Sequence, residues 1–257
     1  MPDMDWREGW RSIIGRLRLV GHGSDEQALL DALAGAERPT VLGFVNAHCM
    51  NLVARDADFQ QALAGADILL RDGKGMEVLL RRLGLAPGLN MNGTDFIVKL
   101  LAAFKGRPVA LWGTREPYLD EAVRLSEALF GVRVVSVQHG FADADSYLDL
   151  ARQARPELIV LGMGMPRQEL LAARLAKAGG PCVIVCGGAI LDFLGGKVSR
   201  APAWMRRLGF EWLYRLLLEP RRLFRRYVLG NPAFLLRTLF YRGAVATRSA
   251  VKGSRPR

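Results

Sequence analysis

A chain of 257 residues, half of them hydrophobic and 24% charged, is long enough to bury a sizeable core and too apolar for a disordered segment. Its net charge of +11 is unevenly placed, since 15 of the 36 basic residues but only Glu211 and Glu219 of the 25 acidic ones follow Gly196. Three cysteines without CxxC or Cys/His spacing argue against a disulfide framework or structural zinc, no run of 18 apolar residues offers a transmembrane helix, and the acidic start MPDMDWREGW lacks the apolar stretch of a secretory signal.

In chain order, the first expected strand is RLRLV (16–20), followed by the helical stretch DEQALLDALAGA with Leu29, Leu30 and Leu33 at helical spacing. TVLGFV (40–45) is the second strand and opens into a loop, Asn46-Ala47-His48. The helical DADFQQALAG leads to ADILL (66–70), which ends in Arg71, Asp72 and the glycine-rich Gly73-Lys74-Gly75 before GMEVLLRRLG. NMNGTD then brings Asn92, Gly93, Thr94 and Asp95 to the start of TDFIVKLLAAF, where Thr94 can cap. PVALW (108–112) leads to Gly113-Thr114 and the helix YLDEAVRLSEALF. VRVVSV (132–137) leads to Gln138-His139-Gly140-Phe141 and SYLDLARQA, at whose start Asp143 and Asp145 read as caps. ELIVLG (157–162) runs into Met163-Gly164-Met165-Pro166-Arg167-Gln168-Glu169 and RQELLAARLAKAG. CVIVC (182–186) ends at Gly187-Gly188, with Cys182 and Cys186 on one face as buried thiols.

Strand–helix alternation implies right-handed crossovers and a mainly parallel, Rossmann-like α/β sheet covered on both faces. The expected division is an α/β domain over 1–196 and a basic, aromatic-rich helical appendage over 197–257. In the appendage Pro202, Pro220 and Pro232 break the chain into short helices, and SAVKGSRPR reads as disordered. Its excess positive charge calls for an anionic partner.

Ligand sites in open α/β sheets lie beyond the carboxyl ends of strands, so the loops after the strands carry the functional reading. Their glycines allow backbone amides to approach a ligand and helix N-termini favour anions, which together point to a nucleotide or sugar-nucleotide cleft. Asp72 stands in such a loop. Alone it reads as a turn aspartate, and as a catalytic base only in the company of the other loops. DGKG lacks the upstream glycine and the Ser/Thr of a P-loop, GMGMPRQ lacks the third glycine of a dinucleotide fingerprint, and no G-x-S-x-G elbow occurs. His22, His48 and His139 are scattered, so neither a metal site nor any other cofactor is expected. A transferase without metal needs another cation for its leaving diphosphate, and arginine suits that role.

Taken together, Asn46 with its Ala-His, ADILLRDGKG, NGTD, ALWGT, HGF, LGMGMPRQE and GGAILDFLGGKVSRAPAWMRRLGFEWLYRLLLEPRRLFRRY resemble the WecG/TagA/CpsF glycosyltransferases of bacterial surface-polysaccharide assembly, over about Val41 to Tyr227. The resemblance implies metal-independent, inverting transfer from a UDP-sugar, often UDP-N-acetylmannosamine, to a polyprenyl-diphosphate-linked sugar. It also implies an enzyme held peripherally at the cytoplasmic face of the membrane, with a C-terminal appendage that closes over the site. It puts the base at Asp72 and sugar-nucleotide contacts among Asn46, Gly73, Asn92, Gly93, Thr94, Asp95, Gly113, Gly164 and Gln168. Phosphate-facing arginines fall at Arg215, Arg222 and Arg225. Phe44 and His48 depart from the family's usual residues next to that pocket.

Two other classes remain open on sequence alone. A nicotinamide-dependent oxidoreductase fits the sheet but lacks the fingerprint. A non-enzymatic nucleic-acid- or membrane-binding protein would use the basic tail, yet arginines interleaved with large aliphatics suit lipid better than nucleic acid. A homo-oligomer is compatible with the sequence.

Overall fold

The computed structural model describes residues 5–179 and 182–242, and SAVKGSRPR lies outside them. Seven strands, β1 (Leu17–Arg18), β2 (Thr40–Val45), β3 (Ile68–Arg71), β4 (Pro108–Gly113), β5 (Arg133–Gln138), β6 (Leu158–Gly162) and β7 (Val183–Cys186), form one sheet in the order β1-β3-β2-β7-β6-β4-β5. Every pairing is parallel, as the strand–helix alternation requires. RLRLV keeps only two residues in the ladder, because the chain turns away and the Val20 carbonyl accepts from Leu89 N–H at 2.7 Å instead.

The flanking helices are α1 (Trp6–Ile14), α2 (Gly23–Ala34), α3 (Ala47–Val53), α4 (Ala57–Ala64), α5 (Gly73–Arg82), α6 (Gly93–Ala103) and α7 (Tyr118–Phe130). Then come α8 (Ala144–Ala154), α9 (Arg167–Ala178) and α10 (Ile190–Leu194). The C-terminal segment holds α11 (Ala203–Leu208), α12 (Glu211–Leu218), α13 (Pro220–Phe224), a π-helical turn (Arg225–Leu229) and α14 (Gly230–Phe240). Three helices, α1, α3 and the five-residue α10, went unread in the sequence. α1 is capped by Asp5, and α3 follows Asn46 directly, where a loop was expected.

Strand side chains alternate between two apolar layers. In β2, Val41 and Val45 face the layer under α1, α3, α4, α5 and α9, whereas Leu42 and Phe44 face α2, α6, α7 and α10. β6 and β7 divide in the same way, with Ile159, Leu161, Ile184 and Cys186 in the first layer and Leu158, Val160, Val183 and Val185 in the second. Cys182 packs against the same first layer as Cys186, and all three cysteines are free.

Pro220 opens α13, but Pro232 does not break the chain: it sits in the first turn of α14, where no intrahelical donor is needed. α14 completes the first apolar layer. Phe234 is 1% exposed and lies 5.3 Å from the Trp10 ring, which also meets Tyr241 and donates from Nε1 to the Met50 carbonyl at 2.8 Å. Phe234→Ala is therefore expected to cost about 3–5 kcal/mol, checked by urea denaturation. A change well under 1 kcal/mol would mean that α14 is not part of the folding unit.

Candidate active site

β2 and β3 pair in register Val45↔Arg71, so the next residue of each, Asn46 and Asp72, meet at the carboxyl edge of the sheet. Asp72 N–H donates to the Val45 carbonyl at 2.9 Å, continuing the ladder by one bond. Asn46 caps α3, its Oδ1 accepting from Cys49 N–H at 3.1 Å, which leaves Nδ2 to donate to Asp72 Oδ2 at 3.3 Å. Asp72 occupies the cap position of α5 yet makes no side-chain cap bond. A turn or cap aspartate would spend its carboxylate on the helix amides; this one faces a cavity.

The turn after Asp72 is held from below. Arg71 is buried, with Nε donating to Pro87 O at 2.9 Å, Nη2 to Gly88 O at 3.0 Å and Nη1 to Gly73 O at 3.2 Å. Asn90 Oδ1 accepts from Gly73 N–H at 2.7 Å. Gly73 has φ +84°, a conformation that favours glycine, and the space where a Cβ would stand is open.

The cavity in front of Asp72 has a volume of about 880 Å³. Asn46, His48, Asp72, Gly73, Asn92 and Thr94 line it on the sheet side, and Glu211, Arg215 and Arg226 from the C-terminal segment. Asn92, not Thr94, caps α6: its Oδ1 accepts from Thr94 N–H at 2.8 Å, and its Nδ2 reaches Glu211 Oε2 at 3.2 Å. Asp95 accepts from Arg200 Nη1 at 2.6 Å, a second tie between α6 and the C-terminal segment. Gly93 lies under the Phe44 ring, 3.2 Å from where a Cβ would stand, so its glycine serves packing and it does not line the cavity.

Three expected contacts lie elsewhere. Gly113 ends β4, and a Cβ there would stand 2.5 Å from the Gly162 carbonyl oxygen, so close strand approach accounts for that glycine. Gln168 is buried, its Oε1 accepting from Gly164 N–H at 3.1 Å and Gly188 N–H at 3.0 Å; it and Gly164 tie two strand-end turns together, apart from the cavity. The arginines also divide. Arg215 lines the cavity with its guanidinium 5.4 Å from the Phe193 ring centroid, whereas Arg222 and Arg225 are exposed outside the lining, Arg222 pairing with Glu219. Arg226, unread in the sequence, lines the cavity in their place. Its position in FRRY is indistinguishable from that of Arg225 until the π-helical turn directs one side chain inward.

Electrostatics separate the ionisable groups. Burial raises the Asp72 pKa; the Asn46 hydrogen bond and the Arg226 charge oppose the rise, and Glu211 adds to it. Burial, with Arg226 and then Arg55, lowers His48 to about 4, so at neutral pH its imidazole is uncharged. Burial lowers the Arg226 pKa and the Arg215 charge lowers it further, while Tyr227 and Asp72 oppose. Behind the cavity, burial raises Glu169 to about 7. The site thus offers a carboxylate displaced toward basicity, a neutral imidazole and two guanidiniums.

The sequence profile described as "Glycosyl transferase WecG/TagA/CpsF family" matches residues 20–248. A Bacillus subtilis (strain 168) protein named N-acetylglucosaminyldiphosphoundecaprenol N-acetyl-beta-D-mannosaminyltransferase is 27% identical over 218 residues, 83% of this chain and 83% of its own length. A Bacillus spizizenii protein of the same name is 27% identical over 192 residues, covering 73% of this chain and 74% of its own. A profile that covers β2 to β7, the Asp72 cavity and α11 to α14 alike settles the class against an oxidoreductase or a non-enzymatic binder: the chain belongs to the WecG/TagA/CpsF family of glycosyltransferases.

Proposed function

We propose that the enzyme moves a sugar from a UDP-sugar to a polyprenyl-diphosphate-linked sugar, with inversion and without a metal, Asp72 acting as general base. The acceptor hydroxyl oxygen attacks the anomeric carbon, its proton passes to the Asp72 carboxylate, and the bond to the UDP oxygen breaks. The observation that carries this reading is an uncapped carboxylate held by Asn46 in the same cavity as Arg215 and Arg226. The guanidiniums supply positive charge for a diphosphate, the task a metal performs in other transferases. Neutral His48, beside Asp72, is suited to hydrogen-bonding a sugar hydroxyl. The names of the two relatives support N-acetylmannosamine as the donor sugar and an N-acetylglucosaminyl diphospholipid as acceptor. A screen of UDP-sugars for transfer to a short-chain lipid diphosphate acceptor tests the reading, and no transfer from any of them would defeat it.

The segment 197–257 is proposed to close the site and to hold the enzyme on an anionic membrane. No helix among the described residues is long and apolar enough to cross a membrane. α14 instead turns Phe234 and Thr238 inward and leaves Leu236 at 57% and Phe240 at 62% exposure beside Leu235 and Leu239. An outward apolar stripe on a basic segment fits a surface of anionic lipid. Leu236→Glu with Leu239→Glu is expected to lower sedimentation with anionic vesicles at least about tenfold, since each change removes apolar area and adds like charge. Unchanged sedimentation would remove this face from the membrane contact.

A further inference from the structure

The turn after Asp72 uses its two glycines differently. Gly73 has φ +84° and open space where a Cβ would stand, so its backbone conformation accounts for it. Gly75, in the first turn of α5, is not among the residues with positive φ, and a glycine inside a helix is destabilising relative to alanine. What this position requires is closeness. A Cβ on Gly75 would stand 3.2 Å from Ala47 Cβ and 3.2 Å from Phe234 Cε1, tighter than ordinary van der Waals contact.

Neither neighbour can turn aside. Ala47 Cβ is fixed to the backbone of α3, one residue after Asn46, and has no rotamer to change. The Phe234 ring is buried and packs on Trp10. Its helix, α14, is tied to both of the others. Asn51 of α3 donates from Nδ2 to the Gly230 carbonyl at 2.7 Å and accepts at Oδ1 from Arg237 Nη1 at 2.7 Å. Arg82 of α5 donates to the Thr238 carbonyl at 3.0 Å and the Leu239 carbonyl at 2.7 Å. An added carbon would therefore be taken up by the spacing of α3 and α5, which must give by a few tenths of an ångström.

The Asp72 carboxylate depends on that spacing. Asn46 caps α3 and Asp72 stands at the cap position of α5, and their side chains meet at 3.3 Å, already at the long end for an N–H···O bond. A few tenths of an ångström more would break it. We infer that Gly75 is a positioning residue for the base: by lacking a side chain it lets Ala47 and Phe234 close on the first turn of α5, and so holds Asn46 against Asp72. The inference rests on Asp72 as the proposed base and adds a residue, outside the reacting groups, that sets its hydrogen bond.

The test reads the carboxylate directly. Full-length protein, isotope-labelled at the aspartate side-chain carboxyl carbons, is titrated by NMR without substrate, and the Asp72 signal is identified by its loss in Asp72→Asn. Wild type, Gly75→Ala, Asn46→Ala and the double variant are compared after thermal melting establishes that each is folded. Because the Asn46 hydrogen bond opposes the rise that burial imposes on the Asp72 pKa, losing that bond raises the titration midpoint. Gly75→Ala is expected to raise the midpoint as Asn46→Ala does, and the double variant to rise no further than Asn46→Ala alone. The charges that act on Asp72 from other elements, Arg71, Glu211 and Arg226, are present in every one of these proteins, as are His48, Arg215 and the Lys74–Glu77 pair that share its cavity. A wild-type midpoint in Gly75→Ala, or shifts that add in the double variant, would overturn the inference. Combining Ala47→Gly with Gly75→Ala moves the methyl group from one helix to the other, so this swap is expected to fold and titrate as wild type whether or not Gly75→Ala folds alone. A swap that titrates like Gly75→Ala, or fails to fold, would overturn the inference as well. Turnover of Asp72→Asn answers a separate question: near-normal turnover removes the proposed base, while the midpoints still decide whether Gly75 holds Asn46 against Asp72.

Discussion

Asp72→Asn is expected to lower kcat by about 10²- to 10⁴-fold, the usual worth of a general base, while the protein melts and binds donor as wild type does. The substitution is nearly isosteric. The new side chain can still present an oxygen to Asn46 Nδ2, and no cap bond to α5 is lost because none exists. What disappears is the capacity to accept a proton. The pH dependence carries the same assignment. Because burial raises the Asp72 pKa, the acid limb of kcat should lie above the range of an ordinary carboxylate. The Asn46 hydrogen bond opposes that rise, so Asn46→Ala should move the limb to still higher pH. Near-normal turnover by Asp72→Asn, or an acid limb that ignores Asn46, would take the base role away from Asp72.

Glu169→Gln is expected to make the protein more stable above neutral pH. Glu169 is 3% exposed; its Oε1 accepts from Gln168 Nε2 at 2.8 Å, but its Oε2 is buried without a partner. Burial raises its pKa from 4.5 to about 7. Between those values the folded state retains a proton that the unfolded chain has released, so stability falls as pH rises through this window and levels off above it. The full fall is roughly 3 kcal/mol. A neutral glutamine keeps an acceptor for Gln168 and never ionises. Urea midpoints at pH 5 and pH 8 should therefore converge in the variant and diverge in wild type. Equal divergence in both proteins would show that another group carries the pH dependence.

Much of the fold is written locally. All seven strands coincide with short apolar runs found by alternation and turn residues, and Asp143 caps α8 from the position its sequence context indicates. Two of the three unread helices, α3 and α1, have local causes too. α3 is only seven residues long and follows Asn46 without a linker, so a chemically suggestive loop and a helix cap are the same residue. α1 is a single amphipathic stretch whose apolar face finds its use only against Met50, Phe234 and Tyr241, far along the chain.

The site divides along the same line. That Asp72 ends a strand and is flanked by glycine is a local fact, and strand ends are where such sheets hold ligands, so the residue type and its place are legible in ADILLRDGKG. Whether its carboxylate caps a helix or faces a cavity depends on Asn46, 26 residues earlier, brought opposite by the parallel pairing of β2 and β3. The glycines mislead for a related reason. Gly93 and Gly113 carry no side chain because Phe44 and Gly162 press against them, and neither neighbour is visible in the local sequence. The arginines show the limit most plainly. Composition places a dense cluster of positive charge after Lys197, but Arg225 and Arg226 are equivalent as letters. Only the packing of the π-helical turn and α14 against α3, with Asn51 donating to the Gly230 carbonyl at 2.7 Å, leaves Arg226 on the cavity and Arg225 in solvent. Strands and caps are decided by neighbours within a few residues. Which charge meets which ligand is decided by contacts between segments more than a hundred residues apart.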